Sequence, residues 1–314
     1  MQQANNFKKI NVLGDANVDM ILNLSRKDKL GDPELFSGGS SANVAAGLAR
    51  LGLKVSFFGS LGNDMYGKYV INEMNSDGID TSNIELLDEF NTAMVIGVVE
   101  KSSERSLFVW PPKNGAHNKY ILNNRSKKKV LDCDWLHVSG ISLRFSPVRE
   151  TMIEAMKLCK EKNKIVSFDL NLRTELWGFD ERFRKVVLEA VSNSSIIFGN
   201  LREELLCLFD ENEDSLYKNL DDDQVLICRD GENGALGITV KTKVKSDAVS
   251  ITPIDSVGAG DAFNTGFIYT FSKGLGIEES LDNGNLVAAY KLLGSGARHL
   301  PNEQQLEEFK KKYL

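Results

Sequence analysis

Asp255–Phe263, DSVGAGDAF, is the stretch whose reading decides the fold of this 314-residue chain. Three small residues, Gly258, Ala259 and Gly260, precede a carboxylate, Asp261. The apolar run that follows (Ala262, Phe263, Gly266, Phe267, Ile268) predicts a helix beginning at Asp261. A glycine turn on a helix N-terminus presents unpaired backbone N–H groups and the positive end of the helix dipole, which makes it an anion site. A carboxylate inside such a site fits a general base that takes a proton from a hydroxyl while the amides hold the charge of a transferring phosphoryl group. An N-cap aspartate after a flexible loop is the competing reading of the same residues.

The composition sets outer limits. With 42% apolar and 26% charged residues, the chain has the make-up of a globular protein that buries a substantial core. Its formal charge of -6 argues against a nucleic-acid surface, and the basic run Lys127–Lys129 reads as a solvated loop. The cysteines, Cys133, Cys159, Cys207 and Cys228, form no C-x-x-C pair and read as reduced thiols. There is no apolar leader segment and no run near the ~20 apolar residues of a spanning helix, so the expectation is a cytosolic protein with no membrane partner.

Outward from the decisive stretch, the chain alternates between strand and helix patterns. Lys8–Leu13 reads as a strand ending in GDANVD, where Asp15, Asn17 and Asp19 cluster beyond Gly14 as polar groups at a crevice, or as turn and cap residues. In GGSSANVAAGLARLG, Gly38 and Gly39 form a turn, Ser40 or Ser41 can cap, and Ala42–Leu51 is a helix with Asn43 in its first turn. Gly62, Gly67 and Lys68 have the spacing of a Walker A loop, but Tyr69 stands where Ser or Thr holds magnesium, so this is a βα turn. Thr92–Glu100 and Arg105–Trp110 form a hairpin that breaks the alternation. They are expected to leave the main sheet as a flap joined by Val18–Leu24. Strands at Trp135–Ser139, Ile165–Asp169, Ser195–Gly199 and Val225–Arg229 alternate with helices at Pro147–Lys162, Glu181–Val191 and Leu201–Phe209. Gly231 and Gly234 mark a turn into a further strand, and helices at Ile277–Leu293 and Glu303–Tyr313 close the chain. Repeated βα units imply a parallel sheet with helices on both faces, an α/β fold.

Taken together, GDANVD, GGSSANVA, NLREE and DSVGAGDAF resemble the ribokinase-like, or PfkB-type, carbohydrate kinase family across nearly the whole chain. The resemblance implies a three-layer α/β/α domain over residues 1–314 with a small β-sheet lid formed by 18–35 and 92–113. It implies ATP near Asn200, Arg229, Gly231, Gly234 and Asn285, with its γ-phosphate at Gly258–Asp261 and Asp261 as catalytic base. Asn200 and Glu203 match an N-x-x-E motif that acts on Mg2+ through water. Asp19, Gly39 and Asn43 match sugar-contacting positions, beside Asn17 and Gly38. Asp255 and the GSGA stretch at Ser295 match a monovalent-cation site, with K+ the expected ion. Ser40 stands where ribokinases proper carry a lysine, which argues against ribose, and Arg229 stands where many members carry threonine.

The implied activity is ATP-dependent phosphorylation of a sugar hydroxyl, with a non-catalytic sugar- or nucleotide-binding regulator as the reading from another class. FDLNLRTELW, Phe168–Trp177, resembles fructokinases and 2-keto-3-deoxygluconate kinases. An acidic sugar needs a guanidinium for its carboxylate. Arg173 serves either substrate, Pro111 stands where the acid-specific kinases place a lid arginine, and Arg144 is the remaining substitute. The expected substrate is a neutral ketose such as fructose, and the apolar faces of the lid predict a homodimer through it.

Overall fold

The computed structural model describes residues 7–23, 33–99, 105–111 and 113–313. β1 (Lys9–Leu13) lies inside a nine-stranded sheet. One side of it holds β4 (Lys54–Gly62) and β5 (Asp80–Leu87), and the other β8 (Trp135–Ser139), β9 (Ile165–Asp169), β10 (Ile196–Asn200) and β11 (Val225–Arg229), all parallel. Two antiparallel strands, β12 (Ala235–Ile238) and β13 (Lys243–Ser246), close that edge. Apart from the edge strand β5, these parallel strands are largely buried, so they read as runs such as WLHVS rather than as clean alternations.

Each face of the sheet carries its own core. Ile10 and Val12 of β1 point to a layer built from α1 (Ser40–Arg50), α8 (Ala259–Ser272), α9 (Ile277–Leu292) and α10 (Glu303–Tyr313). Leu13, Leu136 and Val138 point to the layer of α4 (Val148–Glu161) and α6 (Glu181–Ser192). This is the expected three-layer architecture. Small residues set the depth of the first layer: a Cβ on Gly47 of α1 would meet the Thr265 side chain of α8 at 2.6 Å, and one on Gly266 would meet the Asn283 carbonyl of α9 at 2.4 Å.

A second, four-stranded sheet has the order β3 (Glu34–Gly38), β2 (Asn17–Asn23), β6 (Met94–Val99), β7 (Arg105–Trp110). The hairpin expected from sequence is β6–β7, paired antiparallel from Met94–Trp110 to Val99–Arg105; β2 joins it as expected, but parallel to β6 rather than antiparallel. Residues 24–32, 100–104 and 112 of the expected lid lie outside the described residues. The near-Walker stretch is indeed a βα turn: Asp64 caps α2 (Met65–Ser76) by accepting from Gly67 N at 2.8 Å.

Several elements differ from the sequence reading. β5, β13 and the short helix α3 (Asn124–Val130), which carries the basic run, were not expected. The helix expected at Leu201–Phe209 opens with a wide π-type turn, Leu201–Leu205, before one α turn. Its start is fixed by Asn200, whose side chain accepts from both Arg202 N and Glu203 N at 3.0 Å. All four cysteines are free thiols.

Candidate active site

The carboxyl ends of β1, β8, β9, β10 and β11 open on one edge of the sheet, the place where α/β sheets bind ligands. The N-termini of α1 and α8 converge there. α8 begins at Ala259, two residues before the expected start, with Gly258 as N-cap at φ 79°. Asp261 therefore sits within the first turn and caps nothing, which removes the N-cap reading. Its carboxylate accepts instead from α1: Ser40 Oγ donates to Oδ1 at 2.7 Å and Asn43 Nδ2 donates to Oδ2 at 2.9 Å. Burial pushes the Asp261 carboxyl up to about 7, with Asn43 and Ser40 opposing it, Asp169 adding to it and the Arg173 charge lowering it. Such a group changes protonation near neutral pH, as a general base does.

Neither Ser40 nor Ser41 caps α1. That role falls to Asp15 at the end of β1, which accepts from Ser40 N at 2.8 Å and Ser41 N at 3.1 Å and so frees the Ser40 hydroxyl for Asp261. Gly39 allows the turn: it sits at φ 101°, and a Cβ there would meet the Asp15 carbonyl at 2.7 Å. Gly38 lies against the Asp19 carboxylate, 2.3 Å from where its Cβ would be. Asp19 accepts from Asn17 Nδ2 at 2.6 Å, and burial raises its carboxyl to about 6 against the Asn17 hydrogen bond and the charges of Arg298 and Arg173. Arg173, left-handed at φ 48°, acts electrostatically on both Asp19 and Asp261. Asn17, Asp19 and Gly38 are thus in mutual contact, Asn43 meets Asp261, and the Arg173 charge reaches both carboxylates.

Behind Gly260 lies a buried ionic cluster. Arg229 donates to Asp169 Oδ1 at 2.7 Å and to Asn264 Oδ1 at 3.0 Å, with Glu204 at 3.8 Å. A Cβ on Gly260 would meet Arg229 Nη1 at 2.9 Å, so the guanidinium backs the anion turn from inside. The Asn285 amide is buried and donates to Ser246 O, Ser246 Oγ and Asp247 O. Gly231 and Gly234, at φ 58° and 85°, shape the β11–β12 turn. The Asn200 oxygen caps the π-type turn, and Glu203 is exposed in that turn.

The carbohydrate kinase model of the pfkB family matches residues 8–305. The chain belongs to the pfkB family of carbohydrate kinases. The Vibrio alginolyticus fructokinase is 33% identical to this kinase over 271 residues, 83% of each chain. The Clostridium beijerinckii 5-dehydro-2-deoxygluconokinase is 28% identical over 287 residues, 87% of this chain and 84% of that one. A solved fructokinase double mutant of Vibrio cholerae O395, in fructose, ADP and potassium ion bound form, matches with a TM-score of 0.82 at 26% identity, over 98% of this chain and 99% of that chain.

In this pfkB kinase the contacts around Asp261 also involve residues the sequence reading missed. Asn171 donates to Ser139 Oγ at 3.2 Å, and Ser139 donates to Ser40 Oγ at 3.3 Å, so a polar chain runs from the end of β9 to Asp261. A signal was present in FDLNLR, where Asp169, Asn171 and Arg173 alternate at a strand end. Arg298 was missed altogether; its Nε donates to Asn43 Oδ1 at 3.3 Å, on the far side of the amide that faces Asp261. Arg144, the substitute considered for an acid clamp, donates instead to the Leu172 and Gly178 carbonyls and stacks 3.6 Å from the Phe183 ring centroid. Among the described residues no group of three His, Cys, Asp or Glu is arranged to hold a metal ion. No helix in them is long and apolar enough to cross a membrane.

Proposed function

We propose that this kinase transfers the γ-phosphoryl group of ATP to a hydroxyl of a neutral ketose such as fructose, with Asp261 as general base. The observation that carries the reading is the seat of Asp261: on the first turn of α8, at the anion turn, and hydrogen-bonded to Ser40 and Asn43 of the helix that borders the sugar recess. In the reaction the substrate hydroxyl gives its proton to the Asp261 carboxylate as its oxygen bonds to the γ-phosphorus. The bond from that phosphorus to the β–γ bridging oxygen breaks, and ADP leaves. The first-turn amides of Gly258–Asp261 face the phosphoryl oxygens, and Asp19 with Asn17 accepts and donates hydrogen bonds to neighbouring sugar hydroxyls.

Magnesium fits this arrangement, because an exposed carboxylate, Glu203, beside the Asn200 amide suits an ion that keeps most of its waters and takes its other ligands from phosphates. When bound, it neutralises charge on the transferring phosphates. The small sheet of β2, β3, β6 and β7 serves as the lid over the sugar.

Fructose rather than an acid is favoured by Pro111 after Trp110 and by the engagement of Arg144 with main-chain carbonyls. Arg173, whose charge reaches both Asp19 and Asp261, serves either substrate and does not decide between them. Coupled ADP detection with Mg-ATP decides between them: kcat/KM for fructose is expected to exceed that for 2-keto-3-deoxygluconate. A tenfold preference for the acid reverses the assignment, and binding of sugar without turnover would indicate a regulator.

A further inference from the structure

Lys291, in the last turn of α9, is completely buried. Its ammonium donates to the main-chain carbonyl of Asp255 at 2.6 Å. That carbonyl belongs to the residue expected to bind a monovalent cation. The Asp255 carboxylate is meanwhile tied down, with Oδ1 accepting from Val257 N at 3.0 Å and Oδ2 from Gly296 N at 2.9 Å. Ser295, the other expected ligand, is exposed. The loop before the anion turn is stitched to the end of α9 by Ile254 N donating to Leu292 O at 2.7 Å, and Gly258 packs on Ala297, 2.8 Å from Cβ to Cβ were Gly258 to carry one.

A buried ammonium is costly unless oxygen atoms face it, and the C-terminal end of a helix adds a favourable dipole. A potassium ion entering beside it would meet a like charge at short range in a medium of low dielectric. The residues therefore do not fit a free K+ ion.

We propose that the Lys291 ammonium is a tethered replacement for the monovalent cation, holding the Asp255 loop and through it the Gly258–Asp261 turn, so that this kinase works without potassium. A cation fixed on α9 holds the turn at any potassium concentration, whereas a free ion does so only above its dissociation constant.

The test compares KCl with tetramethylammonium chloride at equal ionic strength. For the wild-type protein the ADP-forming rate is expected to change less than twofold and the melting temperature by under about 1 °C. Crystals soaked in rubidium chloride are expected to show no anomalous peak beside Asp255 or Ser295. Lys291→Ala is expected to melt lower and to recover in proportion to KCl. Twofold or greater activation of the wild type by KCl, or a rubidium peak at that place, overturns the proposal whether or not the variant folds. A folded Lys291→Ala protein indifferent to potassium also overturns it. The rubidium and melting measurements need no sugar, so their failure is separate from failure of the Asp261 assignment.

Discussion

At the scale of single residues, Asp261 is under two opposing demands. Its carboxyl is raised from 3.8 to about 7 by burial, so the fold favours the protonated form while the proposed role as general base needs the ionised one. The rate is therefore expected to climb with pH through about 7 and level off above it. The stability contribution has the opposite sense: it is complete below 3.8, the value of the unfolded chain, and is lost as pH rises toward about 7. Asn43 lowers this carboxyl through its hydrogen bond, so Asn43→Ala is expected to move the rising limb of the rate profile upward by about 0.5–1 pH unit. A limb that stays in place would show that the Asn43 amide does not act on the base. The place of Asp261 in the first turn of α8 was legible because a glycine turn and a carboxylate adjoin in sequence. Ser40 and Asp15 were not, because a residue able to cap its own helix gives no sign that a more distant carboxylate has taken the cap.

At the scale of elements, β8, β9, β11 and the hairpin strand β7 appear where the apolar runs place them. β5, by contrast, reads DTSNIELL, a polar edge strand with little apolar signal, and it forms because β4 offers it a parallel partner. α8 and α9 were legible as helices, but their closeness was not. Phe263 lies flat over Gly284, whose Cβ would meet the ring at 2.9 Å, and Gly266 lies on the Asn283 carbonyl. Gly266→Ala improves helix propensity by about 1 kcal/mol, yet its methyl would press on backbone that cannot turn away. A net loss of about 1–3 kcal/mol is expected, read as a lower urea midpoint. An unchanged midpoint would mean that the two helices separate easily.

At the scale of the whole molecule, the small sheet ends, among the described residues, in outer strands β3 and β7. It also exposes Phe108 at 57%, Trp110 at 48% and Leu35 at 39%. A second copy covering these groups is the expected solution to an apolar sheet at a solvent edge. Sedimentation is expected to give a dimer that Phe108→Glu dissociates; a monomer at high concentration would leave the lid without this partner. Sequence alone showed that the hairpin leaves the main sheet, but pairing between copies depends on which face of each strand is outward, and register sets that.

The central claim is that Asp261 removes the proton from the sugar. Asp261→Asn keeps the shape and the α1 contacts while abolishing basicity, so kcat at pH 8 with saturating Mg-ATP and sugar tests it most directly. The expected result is a fall of about 10²–10⁴-fold, with ATP affinity by calorimetry within about twofold of wild type and a melting temperature gain larger at pH 8 than at pH 5. An Asp261→Asn enzyme that retains more than about a tenth of the wild-type rate would contradict the account.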